Sequence, residues 1–225
     1  MRVLAIDTAL ANCAAAVLDN GTDKACFTAF DEEIGRGHAE RLMDMIGEVM
    51  AETSTVFSDL DRIVVTVGPG SFTGLRVGLS VARGFGLVLE KPVVGITTLA
   101  AIARSAAPKA QGAPLLVALT GKGDEVYCQE FDHAGEPAGE ACVRTLLDLA
   151  ATLPQGIRLA GSAAEKVASA LGLPQDWILS TNGFPEIRDV AELGLIADPI
   201  SSSPSPLYLR PPDATPQTKG RIERQ

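Results

Sequence analysis

The sequence predicts an α/β protein of two lobes, and three observations carry that prediction. The chain opens on short apolar strands separated by turn residues, the first ending in Asp7-Thr8. Residues 63–91, IVVTVGPGSFTGLRVGLSVARGFGLVLEK, read as a buried strand, a glycine-rich turn and a long helix. After a loop rich in Pro, Gly and Ala at 108–114, the same logic returns in degenerate form. With 225 residues, 46% of them apolar, the chain is long enough to bury a core as one domain or two small lobes. A first lobe is expected at 1–107, a smaller second lobe at 108–210, and a polar, disordered tail at 211–225.

In order, 3–6 is an apolar strand, 14–18 a second before the Asn20-Gly21 turn, and 24–30 a third. Strand-Asp-Thr-turn-strand-turn-strand resembles the start of a ribonuclease H-like lobe. The expected fold is therefore two such lobes of the actin-like ATPase/Hsp70/sugar kinase superfamily. There the first hairpin wraps a nucleotide phosphate and its acid helps to hold a metal. Those hairpins place glycine beside the acid so that backbone N–H groups can reach phosphate, whereas Thr8-Ala9-Leu10-Ala11 follows Asp7 here. Asp7 reads equally well as a strand-end residue bonding nearby backbone. Asp31-Glu32-Glu33, Gly35 and Gly37 suggest a mobile loop. His38 then opens a helix to about Glu52, as a helix-start residue making a hydrogen bond. Leu42, Met45, Ile46 and Val49 form its apolar stripe, and Met43 and Met50 widen it.

The central helix is expected from Gly74 to Leu89, with Ser71 or Thr73 as its cap. It is apolar nearly all round, so it must be covered on more than one side. Gly74, Gly78, Ala82 and Gly86 recur every four residues as a ridge with little side chain, which suits the close approach of a second helix. Glycine inside a helix costs up to ~1 kcal/mol against alanine, which packing has to offset. Arg76, Arg83 and the short length argue against a membrane span. The turn before it, Gly68 to Gly74, invites a phosphate-loop reading at Gly68, Gly70 and Ser71, but no Lys-Ser or Lys-Thr follows and the GxGxxG spacing is absent. A strand at 92–96 and a helix capped by Thr97 complete a right-handed crossover.

In the second lobe, strands are expected at 115–119, 125–131, 157–160 and 177–179, and helices at 145–153, 163–171 and 189–197. Gly172 ends the second of these helices. Trp177 is expected in the core, and Tyr208-Leu209-Arg210 to dock on a lobe. A net charge of −9 excludes an unaided grip on nucleic-acid phosphates, so RNA would be met only through a basic partner. The scattered cysteines, Cys13, Cys26, Cys128 and Cys142, suggest reduced thiols and a cytoplasmic protein, and the start MRVLAIDTAL has no signal peptide. Two histidines far apart do not suggest a metal site, and no cofactor is expected.

IDT at the start, HAERL at 38–42, VGPGSFTGLRVGLSVARG at 67–84, KPVVGITTL at 91–99 and PLYLRPPDA at 206–214 together resemble the TsaB (YeaZ) family. That family is related to TsaD, the catalytic subunit that makes threonylcarbamoyladenosine beside the tRNA anticodon. The resemblance implies a non-catalytic partner that works with TsaD and the ATPase TsaE. It implies two helices, matching 38–52 and 73–89, that bind TsaD or pair the protein with itself. On this chain that surface is expected at Leu42, Met43, Met45, Gly74, Arg76, Gly78, Ala82 and Gly86. TsaD-like proteins hold a metal with paired histidines, one pair after a KP strand, whereas Gly95-Ile96-Thr97-Thr98-Leu99 stands here. The competing reading is an actin-like ATPase or small-molecule kinase using Asp7, Thr8 and the Gly68–Ser71 turn. A metallopeptidase is disfavoured by the histidine count.

Overall fold

Among the described residues, two mixed five-stranded sheets share one strand order, and six α-helices pack onto their faces. The structure, a computed structural model, describes residues 1–21 and 25–210. The first sheet comprises β1 (Arg2–Asp7), β2 (Asn12–Asp19), β3 (Cys26–Glu33), β4 (Arg62–Gly68) and β5 (Val93–Thr97), in the order β3-β2-β1-β4-β5. The second comprises β6 (Leu115–Thr120), β7 (Glu125–Phe131), β8 (Cys142–Thr145), β9 (Arg158–Ala160) and β10 (Ile178–Ser180), in the order β10-β9-β6-β7-β8. Each sheet begins with an antiparallel meander and adds two parallel strands beside its first strand. The duplication expected from the sequence is thus a repeat of topology. The tail at 211–225 and Lys24 lie outside the described residues.

β1, β2 and β4 are buried on both faces, because their residues are small or branched apolar ones on alternate sides. One face of the first sheet carries α1 (His38–Glu52) and α2 (Phe72–Leu89). Leu42, Met45, Ile46 and Val49 of α1 are fully buried there against Leu4, Ile6 and Val17. Each such side chain contributes roughly 1.5–3 kcal/mol by leaving water. The second sheet carries α4 (Leu146–Thr152) and α5 (Ala164–Leu171) on one face and α3 (Thr98–Ala106) on the other.

The other face of the first sheet corrects the lobe boundary expected at 210. α6 (Ile187–Ile196) follows the second sheet in sequence but packs on the first, burying Ile187, Val190 and Ala191 over Val3, Ala5 and Val64. The physical reason is that the apolar inner strands leave a second face needing cover. Gly194 lets it come close, since a Cβ there would fall on Val64. Arg104 of α3 pairs with Glu192 of α6 at 3.2 Å, so the two helices lie side by side between the sheets. The chain then returns over α2. Gly95 N–H donates to Ser202 O, Leu207 N–H to Val67 O, and Arg83 to Pro204 O.

Four local expectations also change. Asp31, Glu32 and Glu33 extend β3 instead of forming a loop, because they pair with Ala14, Cys13 and Asn12 of β2. β8 has no counterpart among the expected strands; its four residues pair with β7 just before Thr145 caps α4. Trp177 is half-buried, with the Arg158 guanidinium 5.4 Å from its ring centre, and is no core residue. His38 is buried at the start of α1, but its Nε2 has no hydrogen-bond partner.

Candidate functional site

The turn between β1 and β2 meets the loop between β4 and α2, and this meeting decides what α2 can present. Ser71 caps α2, its Oγ accepting from the Gly74 N–H at 3.3 Å. The Ser71 N–H itself donates to Ala9 O at 2.6 Å. Thr8 is fully buried, and its hydroxyl donates to Gly74 O at 2.7 Å and accepts from the Gly78 N–H at 3.1 Å. A Cβ at Gly70 would strike the Ala9 carbonyl, one at Gly74 the Thr8 carbonyl, and one at Gly78 the Thr8 hydroxyl. Gly68, at φ +107°, has the Leu207 carbonyl above it. Gly68, Gly70 and Ser71 therefore hold the chain's own hairpin and return segment where a phosphate loop would hold its ligand.

Asp7 sits beneath this contact, fully buried. Its Oδ1 accepts from Thr66 Oγ1 at 2.5 Å and from the Ala9 N–H at 3.0 Å, while Oδ2 has no partner. Burial raises its pKa from 3.8 to about 6, against the lowering effect of these two hydrogen bonds and of nearby His38. Of the two readings of Asp7, the strand-end residue bonding adjacent backbone matches this geometry. Among the described residues no group of three or more His, Cys, Asp or Glu side chains is arranged to hold a metal ion.

The glycine ridge faces inward, which corrects the expected partner surface. Gly74 and Gly78 receive Thr8, Ala82 is fully buried in the core of the first sheet, and a Cβ at Gly86 would fall on Val93. Leu42 and Met45 are likewise fully buried in that core. The ridge does serve a close approach, but the approaching backbone is the protein's own. Of the expected set, Met43 and Arg76 are exposed. Arg76 lies 3.8 Å from the ring centre of Phe72 and donates to the Tyr208 hydroxyl at 3.3 Å, and Tyr208 packs on Phe72. The expected docking of Tyr208 is therefore onto α2.

What α2 presents outward mixes large apolar side chains with Thr73, Arg76, Ser80 and Arg83. Leu87 and Val88 are 82% and 79% exposed, and Phe72 is 45% exposed. A groove of about 500 Å3 runs between Ala39 of α1 and Phe72, Thr73, Arg76, Val77, Ser80 and Val81 of α2. Gly84 lies on this outer side, where a Cβ would meet nothing within 4 Å, and Gly47 of α1 is equally open. An exposed apolar stripe with small residues between its larger ones is the form of a protein-docking face. Sequence periodicity missed it because both sides of α2 are apolar. The signal that could have found it is Gly84, the one glycine of the helix outside the four-residue spacing.

Fold and site together define an α/β protein of two similar five-stranded sheets, in which the turn before α2 is closed by the chain's own β1–β2 turn. A family model described as TsaD, tRNA N6-adenosine threonylcarbamoyltransferase, matches residues 31–200. The chain is 36% identical over 133 residues to the tRNA threonylcarbamoyladenosine biosynthesis protein TsaB of Escherichia coli, covering 59% of this chain and 56% of that protein. It thus spans little more than half the length of that curated relative. An uncharacterized protein of Mycobacterium tuberculosis is 31% identical over 221 residues, covering 95% of this chain and 94% of that one. Among solved structures, a Pseudomonas aeruginosa protein described as similar to peptidase YEAZ superposes with a TM-score of 0.76 at 25% identity, over 93% of this chain and 99% of that one. The chain belongs to the TsaB (YeaZ) family.

Two substitutions separate the faces of α2. Gly74→Ala drives a methyl into the Thr8 carbonyl and is expected to cost roughly 1–3 kcal/mol, whereas Gly84→Ala gains about 1 kcal/mol of helix propensity. Urea denaturation of both variants reads the difference; equal effects would contradict the assigned rotation of the helix. Asp7 gives a pH signature. Its folded pKa of about 6 lies above the ordinary 3.8, so the folded chain holds a proton that the unfolded chain has released between those values. Its contribution is favourable below about pH 4 and is lost as pH rises towards 6. Asp7→Asn should remove this dependence, so its stability relative to the parent rises across that window by up to roughly 3 kcal/mol. A pH-independent difference in urea midpoint would show that Asp7 is not buried as described.

Proposed function

We propose that this chain is a non-catalytic subunit of the machinery that makes threonylcarbamoyladenosine in tRNA, docking a TsaD-type partner through the outer face of α2 and the neighbouring exposed edge of α1. The observation that carries the reading is the exposed apolar side chains Phe72, Leu87 and Val88 of α2, with half-buried Val77 lining the groove beside α1, which a partner would cover. The names borne by its TsaB relatives support the pathway. TsaE joins the same assembly. tRNA reaches the complex through the partner, since a chain of net charge −9 supplies little attraction for a phosphate backbone. A homodimer would use the same stripe and so compete with the partner.

The closed loop supports the non-catalytic part. The Ser71 N–H is engaged by Ala9, the Gly74 N–H by Ser71 and the Gly78 N–H by Thr8, so three donors at the start of α2 are already taken. An ATPase or kinase would need them free to meet phosphate.

The test is titration of a TsaD-type subunit against Gly84→Arg and Leu87→Asp. Both positions are open in the folded chain, so the variants should keep the parent urea midpoint while binding at least about tenfold more weakly, a loss of about 1.4 kcal/mol. Parent-level affinity would overturn the docking face. Calorimetry with magnesium and ATP on the isolated chain addresses the enzyme alternative; tight binding with turnover would replace the present reading.

A further inference from the structure

Cys128 of β7 and Cys142 of β8 stand directly opposite one another in the antiparallel register. The Leu146 N–H donates to Asp124 O in the same ladder, and alternation from that pair makes 128 and 142 a hydrogen-bonded pair with Cα atoms about 5.5 Å apart. That spacing lies within the range a disulfide spans. As directly opposed residues, their side chains lie on the same face of the sheet. A small cavity of about 150 Å3 opens onto both, with Glu130 and Arg144 in its wall. The two sulfurs differ in situation. Cys128 is buried in the core between the second sheet and α4 and α5, where burial and the neighbouring Cys142 push its thiol up to about 12. Cys142 is half-buried at the edge of the sheet and lines the cavity with Arg144, whose guanidinium is paired with Glu130 at 3.1 Å.

We propose that Cys128 and Cys142 are a modification site, closing to a reversible intrachain disulfide when a hydroperoxide reaches Cys142. Cys142 is the attacking sulfur, being the less buried of the two and open to the cavity. Its sulfur attacks the peroxide oxygen; an S–O bond forms, the O–O bond breaks, and the leaving oxygen takes a proton as water or alcohol. Cys128 then attacks the resulting sulfenic sulfur. The S–S bond forms, the S–O bond breaks, and the departing hydroxide takes the Cys128 proton as water. Two thiols lose two electrons and the peroxide gains them. The product fastens the edge strand β8 to β7 across the connection at 129–141.

Both cysteines fall in one tryptic peptide, residues 123–144, because no Lys or Arg lies between. The exposed Cys26 is first removed as Cys26→Ser to prevent crosslinks between chains. The folded full-length chain is exposed to hydrogen peroxide, blocked with an alkylating agent and digested. The expected result is a peptide lighter by about 2 Da, the mass of two hydrogens, that regains both alkylation sites after reduction. Cys142→Ser should abolish the loss, and Cys128→Ala should leave Cys142 as a sulfenic acid trapped by dimedone. An unchanged peptide, one carrying added oxygen with Cys128 still alkylated, or two chains joined through Cys142 would each overturn the proposal.

Discussion

One hydroxyl sets the orientation of the central helix. Thr8, fully buried at the end of β1, places its Oγ1 between Gly74 O and the Gly78 N–H of α2, giving and taking a hydrogen bond there. The helix accepts it only because neither glycine has a Cβ. A polar group buried this deeply would be costly without both partners, so the contact tolerates little rotation of α2. Everything functional follows from that rotation. The four-residue ridge is committed to the sheet, the start of the helix is closed by the β1–β2 turn, and Leu87, Val88 and the groove beside Phe72 are left outside.

The same contact closes the turn before α2. Here Ala9 O takes the Ser71 N–H, and the Leu207 carbonyl covers Gly68. Asp7 is left with one bonded oxygen and one unpartnered oxygen beneath the turn, and its proton affinity is raised as burial demands. The apolar outer face and the closed loop are two consequences of one packing arrangement. In the function proposed above, the first would meet a partner and the second leaves the Ser71, Gly74 and Gly78 N–H groups engaged within the chain.

Much of the fold was legible because the periodic signals were strong. α1 spans His38–Glu52 as its stripe indicates, β7 spans Glu125–Phe131, and Thr97 caps α3 through the Ala100 N–H. The site was harder. Glycine spacing identifies a close approach but not its direction, and with apolar residues on both sides of α2 the pattern cannot separate the protein's own sheet from a foreign helix. Leu42 and Met45, expected on the partner surface, are core, because the apolar stripe of α1 faces its own sheet; Met43, on the same helix, is the exposed one. α6 was legible as a helix, but the sheet it covers depends on a face left open far away in sequence. β8 is four residues long and too short to show alternation.

The most direct test of the account is hydroxyl-radical footprinting of this chain alone and with a TsaD-type subunit. The account predicts that Met43, Phe72, Leu87 and Val88 lose reactivity in the mixture, while the already buried Leu42 and Met45 remain unreactive in both states. Unchanged labelling along the outer face of α2, with protection elsewhere on the chain, would contradict it.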